Sequence, residues 1–371
     1  MMGSDAALDA FGSACQPSRS KGRPPGVGVT EMLRITIADI AREAGVSTAT
    51  VDRVLNNREG VRAPTRGRVL GVAQRLGYSD AGGAVEADSR PVTLDFVIPG
   101  GSKAFMDLFA GHLGNQGLLA AGPVTVRVHR FEGIDPVALA ETIERVAPGS
   151  DGVGVVPVDH PVVREALRRM IARGAPVLTL ITDIAGLATV GYIGIDNRAA
   201  GRLAGYLLGR LMPPGRTEVA LFTGSLSYRG HEEREMGFRH LLAEEFPSLR
   251  IVEFREVGEN SDRAYAETRA LLATRPALGG VYNIGGGLRG IADALKESGR
   301  AREIVFIGHE LTEATRRYLL EGTVDAVIDQ NPRVQAREAI ERLRRAALGQ
   351  DVRDWIGIRT QVIFRENVPD I

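Results

Sequence analysis

The sequence holds one cysteine, Cys15, and its six histidines are scattered without a repeated spacing. One thiol per chain excludes an internal disulfide framework and a cluster of cysteine thiolates around a metal. Zinc sites need three or four ligands at characteristic spacings, which these histidines do not show. We therefore predict a protein without a bound metal or other cofactor.

Long apolar runs are also missing, since no segment reaches the roughly 18 unbroken apolar residues that a membrane-spanning helix requires. Residues 1–33 lack the basic start and apolar stretch of an export signal, and their composition is typical of a disordered leader. The chain is 44% hydrophobic and 25% charged, as globular proteins are. These features predict a cytoplasmic, nucleoid-associated protein with no membrane contact.

A net charge is absent as well, because 46 basic residues balance 46 acidic ones. Residues 34–78 nevertheless contain eight arginines and four acidic side chains, a local excess of four positive charges. Contacts with DNA phosphates require such a patch. Arginine exceeds lysine throughout the chain, which codon usage also explains, so the local excess is supporting evidence only.

From Val92 onward, short runs rich in β-branched residues alternate with amphipathic segments of helical periodicity. VTLDFVI at 92–98 and APVLTLI at 175–181 are typical runs, and PVVREALRRMIARG at 161–174 is a typical amphipathic segment. This alternation predicts an α/β fold with doubly wound parallel sheet. Ligands of such folds bind beyond the carboxyl ends of the strands.

Residues 34–78 have a different, all-helical pattern. Thr36 followed by Asp39 predicts a capped first helix, and Gly45 supplies a sharp turn after it. Ser47 then predicts the cap of a second helix with a polar outer face.

A third helix is predicted over residues 64–76, begun by Pro64 and ended by Gly77. A helix, a turn containing glycine and a second helix with a polar face form the helix-turn-helix plan. In that plan the second helix enters the major groove of DNA.

The stretch IADIAREAGVS, the following TVDRVLN and the closing LGY resemble the DNA-binding head of the lactose-repressor (LacI) family over some 44 residues. The resemblance implies two sets of DNA contacts. The positions that read base edges in that family are Thr48, Ala49 and Arg53 here, and those that contact phosphates are Thr36, Thr50 and Asn56. Arg53 suits its role because a guanidinium donates two hydrogen bonds to guanine O6 and N7.

Two positions depart from the family pattern. Asp52 stands where the family usually has a small hydroxyl residue, so it either orients Arg53 or accepts a hydrogen bond from a cytosine amino group. Residues 79–91, the predicted linker, lack the leucine with which the family's hinge helix wedges into the minor groove. Coupling between ligand and DNA then uses either another route or a weakly formed hinge.

Residues 92–371 resemble periplasmic sugar-binding proteins of the ribose-binding kind, which implies two lobes with a ligand cleft between them. The first lobe is expected to comprise about residues 92–196 and 330–350, and the second about 197–329 and 351–371. Ligand would change the angle between the lobes.

Candidate effector-binding residues follow the predicted strands. They are Phe105, Asp183, Asn283, Glu310 and Gln330. A further ligand arginine, common in the family, is replaced by Glu232 here, so Arg229 or Arg234 is expected to substitute. Phe105 as a core residue and Asp183 as a turn cap are the structural alternatives. Asp196 and Asn197 begin the next helix and are expected to form its cap rather than to contact ligand.

These features predict a transcription regulator, a repressor in the first instance, that binds a pseudo-palindromic operator as a homodimer and responds to a small sugar or polyol. The glycine run 285–287 is not followed by the Lys and Ser/Thr pair of a phosphate-binding loop, and no catalytic triad or carboxylate pair is evident. We therefore do not predict an enzyme. A solute receptor for transport and a sugar-active enzyme are the alternatives.

Overall fold

A computed structural model of the chain describes residues 36–56, 58, 60–76, 90–100, 104–120, 122–352 and 357–369. The predicted leader, the predicted linker except its last two residues, and Gly77 lie outside these ranges. Among the helices of the described ranges, none combines the length and the apolar character needed to cross a bilayer.

Three short helices form the head, as the sequence predicts. They are α1 (Ile37–Ala44), α2 (Thr48–Leu55) and α3 (Ala63–Arg75). Thr36 and Asp39 form the reciprocal capping box, Gly45 ends α1 in the left-handed conformation at φ 62°, and Ser47 caps α2 by accepting from the Thr50 amide. These predicted caps are confirmed.

A small apolar core holds the three helices together. Its largest members, Ile40, Val51, Leu55, Val69 and Val72, are at most 2% exposed. They recur at three- and four-residue spacings, so each helix turns one apolar stripe inward. The polar face of α2 is therefore left on the outside.

The first lobe is a five-stranded parallel sheet with the order β2-β1-β3-β4-β5. Its strands are β1 (Val92–Pro99), β2 (Val124–Phe131), β3 (Gly152–Val155), β4 (Val177–Leu180) and β5 (Gly191–Ile193). The helices between them are α4 (Ala104–Leu119), α5 (Pro136–Val146) and α6 (Pro161–Ala172). β1, β3 and β4 are almost wholly buried, as parallel strands covered on both faces are.

The second lobe is a six-stranded sheet with the order β11-β10-β9-β8-β6-β7. Its strands are β6 (Glu218–Thr223), β7 (Arg250–Glu256), β8 (Leu278–Gly285), β9 (Val305–His309), β10 (Ala326–Asp329) and β11 (Gln361–Ile363). Its helices are α7 (Asn197–Leu211), α8 (Arg229–Glu245), α9 (Ser261–Thr274), α10 (Leu288–Glu297) and α11 (Glu313–Glu321). Only β11 runs antiparallel, against β10. The predicted α/β class with a doubly wound parallel sheet is confirmed. Asp196 caps α7, as predicted for it from the sequence.

The last long helix, α12 (Pro332–Ala347), follows β10 of the second lobe but packs in the first. Ala336, Ala339, Ile340 and Leu343 belong to the first lobe's core and are at most 2% exposed. The chain therefore crosses from one lobe to the other between Gln330 and the first turn of α12.

Candidate functional site

A cleft of about 590 Å³ lies between the two lobes, beyond the carboxyl ends of their strands. The first lobe contributes residues that follow β1 and β4, and the second lobe contributes residues that end or follow β8, β9 and β10. Its volume is that of pockets for small molecules. The position agrees with the rule for doubly wound sheets.

Strained backbone concentrates at this cleft. Four non-glycine residues in the described ranges have φ between 51° and 72°, and they are Ile181, Glu259, Glu310 and Asn331. The first three line the cleft, and Asn331 follows the lining residue Gln330. Because side chains with a Cβ occupy this region at a cost, such clustering is typical of functional sites.

Arg234 is the buried cation of the cleft, with 3% of its surface exposed. Its guanidinium donates from Nε to Asn197 Oδ1 at 2.8 Å and from Nη1 to the carbonyl of Ile284 at 2.9 Å. The Asn197 amide in turn donates to the carbonyl of Ile181, across the lobe boundary. These bonds fix the guanidinium and join it to a strained residue of the first lobe.

Glu310 is the acid of the cleft that faces Arg234, and its Oε1 lies 3.8 Å from Arg234 Nη2. Burial raises the pKa of Glu310 to about 8, although the neighbouring guanidinium acts in the opposite direction. Gln330 donates to Glu310 Oε1 at 2.5 Å, whereas Oε2 is buried with no hydrogen-bond partner among the described residues. A protonated carboxyl with a free oxygen both donates to and accepts from a ligand hydroxyl.

Two histidines complete the polar lining. His309 Nε2 and the Tyr282 hydroxyl share a 2.9 Å hydrogen bond, whose direction depends on the tautomer of the imidazole. Burial lowers the pKa of His309 well below its usual range. His231 lies against Gly285, where a Cβ would approach His231 Nε2 to 2.5 Å, so a larger residue at this position would require the imidazole ring to move. Both rings belong to residues of the second lobe that line the cleft.

Five of the predicted effector residues line the cleft, and they are Phe105, Arg234, Asn283, Glu310 and Gln330. Phe105 is half-buried in the first turn of α4 and stacks on Phe109 at 6.3 Å between ring centroids. The Asn283 side chain is committed to the glycine turn, because it donates to the carbonyl of Gly286 and accepts from the amide of Gly285.

Three other candidates are not among the described residues that line the cleft. Asp183 accepts a 2.6 Å hydrogen bond from Thr179, and Arg229 pairs with Glu233 one turn along α8. The third, Glu232, lies two residues before Arg234, which puts it on the opposite side of α8. The helical period thus explains why Arg234 and not its neighbours reaches the cleft.

Sequence reasoning missed Thr182, His231 and His309, and it assigned Asn197 to a helix cap although Asn197 lines the cleft. Thr182 Oγ1 accepts from the amide of Gly230 at 2.9 Å, which is a second link between the lobes. Thr182 and His309 directly follow or end predicted strands, so the same rule that singled out Glu310 applies to them. His231 lies within α8, where the sequence carried no comparable signal. Asn197 is the first residue of α7, where the sequence indicated only the helix start.

The head presents the other candidate site. Thr48, Ala49 and Arg53 are exposed on α2, while Thr50 is half-buried and shares a hydrogen bond with Ser47. Thr36 is exposed, and its side chain belongs to the capping box of α1.

Asp52 is neutralised within the head. Its carboxylate accepts from Arg58 Nη1 at 2.9 Å and from the Asn56 amide at 2.7 Å. Asp52, the residue that departs from the family pattern, therefore forms a salt bridge with Arg58 in the loop after α2. Arg53 is the exposed cation among the described residues of α2.

Two family models match the chain. The model described as "Periplasmic binding protein domain" matches residues 119–351, and the one described as "Bacterial regulatory proteins, lacI family" matches residues 36–80. The first covers well over half of the chain, and the second coincides with the three-helix head.

Individual relatives match over different shares of the chain. The HTH-type transcriptional regulator MalR of Streptomyces coelicolor is 29% identical over 54% of this chain and 57% of its own length. Catabolite control protein A of Streptococcus mutans is 44% identical over 20% of this chain and 23% of its own. The chain thus spans little more than half of the length of MalR and about a quarter of the length of catabolite control protein A. Among solved structures, GanP, a glucose-galactose binding protein from Geobacillus stearothermophilus, has a TM-score of 0.69 at 22% identity, covering 76% of this chain and 100% of GanP.

Proposed function

Because this chain belongs to the periplasmic binding protein family and carries a lacI-family head at residues 36–80, we propose that it is a DNA-binding transcription regulator controlled by a small molecule. The carrying observation is the exposure of Thr48, Ala49 and Arg53 on one face of α2, with the opposite face buried in the head. A polar face on a short helix that projects from a stable three-helix core is the geometry for reading the major groove.

The effector is proposed to be a small sugar or polyol held between the lobes. The cleft offers an aromatic face at Phe105, a fixed cation at Arg234, an amide at Gln330 and a carboxyl at Glu310. Aromatic faces and paired donors and acceptors are how proteins hold polyhydroxylated ligands. The resemblance to a glucose-galactose binding protein supports the same class.

Operator binding is proposed to require two copies of the chain in the cytoplasm. One head covers a single half-site, and symmetric dimers match pseudo-palindromic sites. Repression is the proposed outcome of that binding. No catalytic activity is proposed for the cleft.

The test is a selection of genomic fragments on the purified full-length protein, followed by titration of the enriched duplex. Enrichment of a sequence with two half-sites is expected for the wild type. Arg53→Ala should weaken binding to that duplex by roughly 5- to 150-fold, because one bidentate guanine contact contributes about 1–3 kcal/mol.

The matched control is Arg42→Ala, which removes the same charge from an exposed position on α1. A purely electrostatic loss would be equal in the two variants, whereas base reading affects Arg53→Ala alone. Failure to enrich any sequence, or equal losses in both variants, would refute the proposed DNA reader. Uptake of a sugar without any DNA binding would instead favour the alternative, a solute receptor.

A further inference from the structure

The head rests directly on the first lobe through the end of α2. Arg333, in the first turn of α12, donates from Nη1 to Asn56 Oδ1 at 3.1 Å. Asn115 of α4 donates to the carbonyl of Val54 at 3.2 Å, and Leu119 packs against the apolar core of the head. Two body helices thus hold the last turn of the proposed recognition helix.

The same helix α12 begins at the cleft. Gln330 lines the cleft and hydrogen-bonds Glu310, and three residues later Arg333 contacts the head. Between them Asn331 has φ 51°, and its side chain caps α12 by accepting from the Val334 amide. Because the chain crosses between the lobes here, a change in the lobe angle must alter this segment.

Docking also engages the side chain of Asn56, which is one of the proposed phosphate contacts. Asn56 donates from Nδ2 to the backbone carbonyl of Asp52 at 2.9 Å and to its carboxylate at 2.7 Å, and its oxygen accepts from Arg333. An amide nitrogen has two hydrogens, so Asn56 has none left for a phosphate oxygen, which only accepts. Both hydrogens go to Asp52 of the same helix, and the bond from Arg333 to the amide oxygen holds Asn56 in this orientation. Docking thereby stabilises a state of Asn56 that offers no donor to a phosphate.

The surface beneath the head is incompletely satisfied. His112 Nδ1 and Gln116 Nε2, both on α4, are buried with no hydrogen-bond partner among the described residues. Burial, together with the nearby charge of Arg333, lowers the pKa of His112 to about 4, so this ring is neutral at pH 7. Unpaired buried polar groups each cost about 1–3 kcal/mol, which offsets part of the stability that the packing of α4 provides.

From these contacts we propose that the first turn of α12 is an inhibitory latch, through which the state of the cleft at Gln330 holds or releases the head at Asn56. The latch is a direct route from cleft to head, and it does not depend on a wedge-type hinge helix in residues 79–91. The proposal rests on the proposed function, since the latch regulates DNA binding.

Hydrogen exchange of the α2 amides in the full-length, ligand-free protein tests the latch without DNA. Arg333→Ala and, independently, Asn115→Ala should speed exchange in α2 by roughly three- to tenfold, as expected for one lost hydrogen bond. Gln330→Ala, which does not touch the head, should also change α2 exchange. The control is Arg337→Ala, one turn further along α12, where the arginine pairs with its neighbour Glu338.

Unchanged exchange in Arg333→Ala and Asn115→Ala would overturn the docking, and unchanged exchange in Gln330→Ala would overturn the link to the cleft. A second arm titrates the duplex recovered by genomic selection. Arg333→Ala should bind this duplex roughly three- to tenfold more tightly than the wild type, because release of the head is no longer opposed. The control Arg337→Ala should bind it with the affinity of the wild type. Equal or weaker binding by Arg333→Ala would overturn the inhibitory sense. Loss of DNA binding in Arg53→Ala is a separate outcome, so either proposal can fail alone.

Discussion

Replacing Glu310 by glutamine tests the electrostatics of the cleft. Burial is the main reason that the pKa of Glu310 rises from 4.5 to about 8, and the Asp329 carboxylate adds to the rise. The Arg234 guanidinium at 3.8 Å and the hydrogen bond from Gln330 act in the opposite direction and do not offset burial. Glutamine keeps the shape and the hydrogen-bonding capacity but never ionises.

The sign follows from the raised pKa. Below about pH 4.5 both the folded and the unfolded chain hold this proton, so its contribution to stability is fully present. Between about pH 4.5 and pH 8 the unfolded chain releases the proton while the folded chain keeps it, so the free energy of unfolding falls as pH rises. Each pH unit in this window costs about 1.4 kcal/mol.

The wild type should therefore lose about 2.5 kcal/mol relative to Glu310→Gln between about pH 5.5 and about pH 7.5. Urea unfolding at both pH values, followed by circular dichroism, measures the difference. Glu313→Gln, which removes an exposed carboxylate at the start of α11, is the control and should show no such trend. A wild-type-minus-variant difference that stays constant with pH would refute a buried, protonated Glu310.

Three further results are expected. Thr36→Ala should destabilise α1 by about 1 kcal/mol, because the capping box loses its hydroxyl; exchange of the α1 amides measures this, and unchanged exchange would contradict the cap. Arg234→Met should lower the free energy of unfolding by about 2–6 kcal/mol, because Asn197 Oδ1 and the Ile284 carbonyl each lose a buried donor at a cost of about 1–3 kcal/mol; a loss below about 1 kcal/mol in urea unfolding would be inconsistent with these bonds. Phe105→Ala should weaken, by about tenfold, binding of whichever sugar in a thermal-shift panel stabilises the wild type; equal affinity in calorimetry would remove Phe105 from the effector site.

The head was largely predictable because its determinants are local. The box of Thr36 with Asp39, the turn at Gly45 and the cap at Ser47 each join residues within one helical turn. Such pairs are visible as fixed spacings in the sequence. The role of Asp52 was not predictable, since its partner Arg58 lies beyond the end of α2 and only the fold of the following loop brings it close.

The cleft was predictable in position but only partly in its residues. Glu310 and Gln330 follow predicted strands, and strand ends converge at one edge of a parallel sheet. For the arginine the sequence left Arg229 and Arg234 open, and the packing of α8 decided for the second, which faces the cleft. Lining residues within helices, such as His231, had no signal, because which face of a helix meets the other lobe depends on how the lobes pack.

The sequence by itself determined the two kinds of domain, the order of strands and helices and the polar face of α2, because periodicity and caps act over a few residues. Only the tertiary structure decided that Glu310 is buried beside Arg234, and that Arg333 reaches Asn56 across 277 positions. These contacts depend on the packing of distant elements and on the low polarity of the interior that packing creates, and neither quantity is a property of any short stretch of sequence.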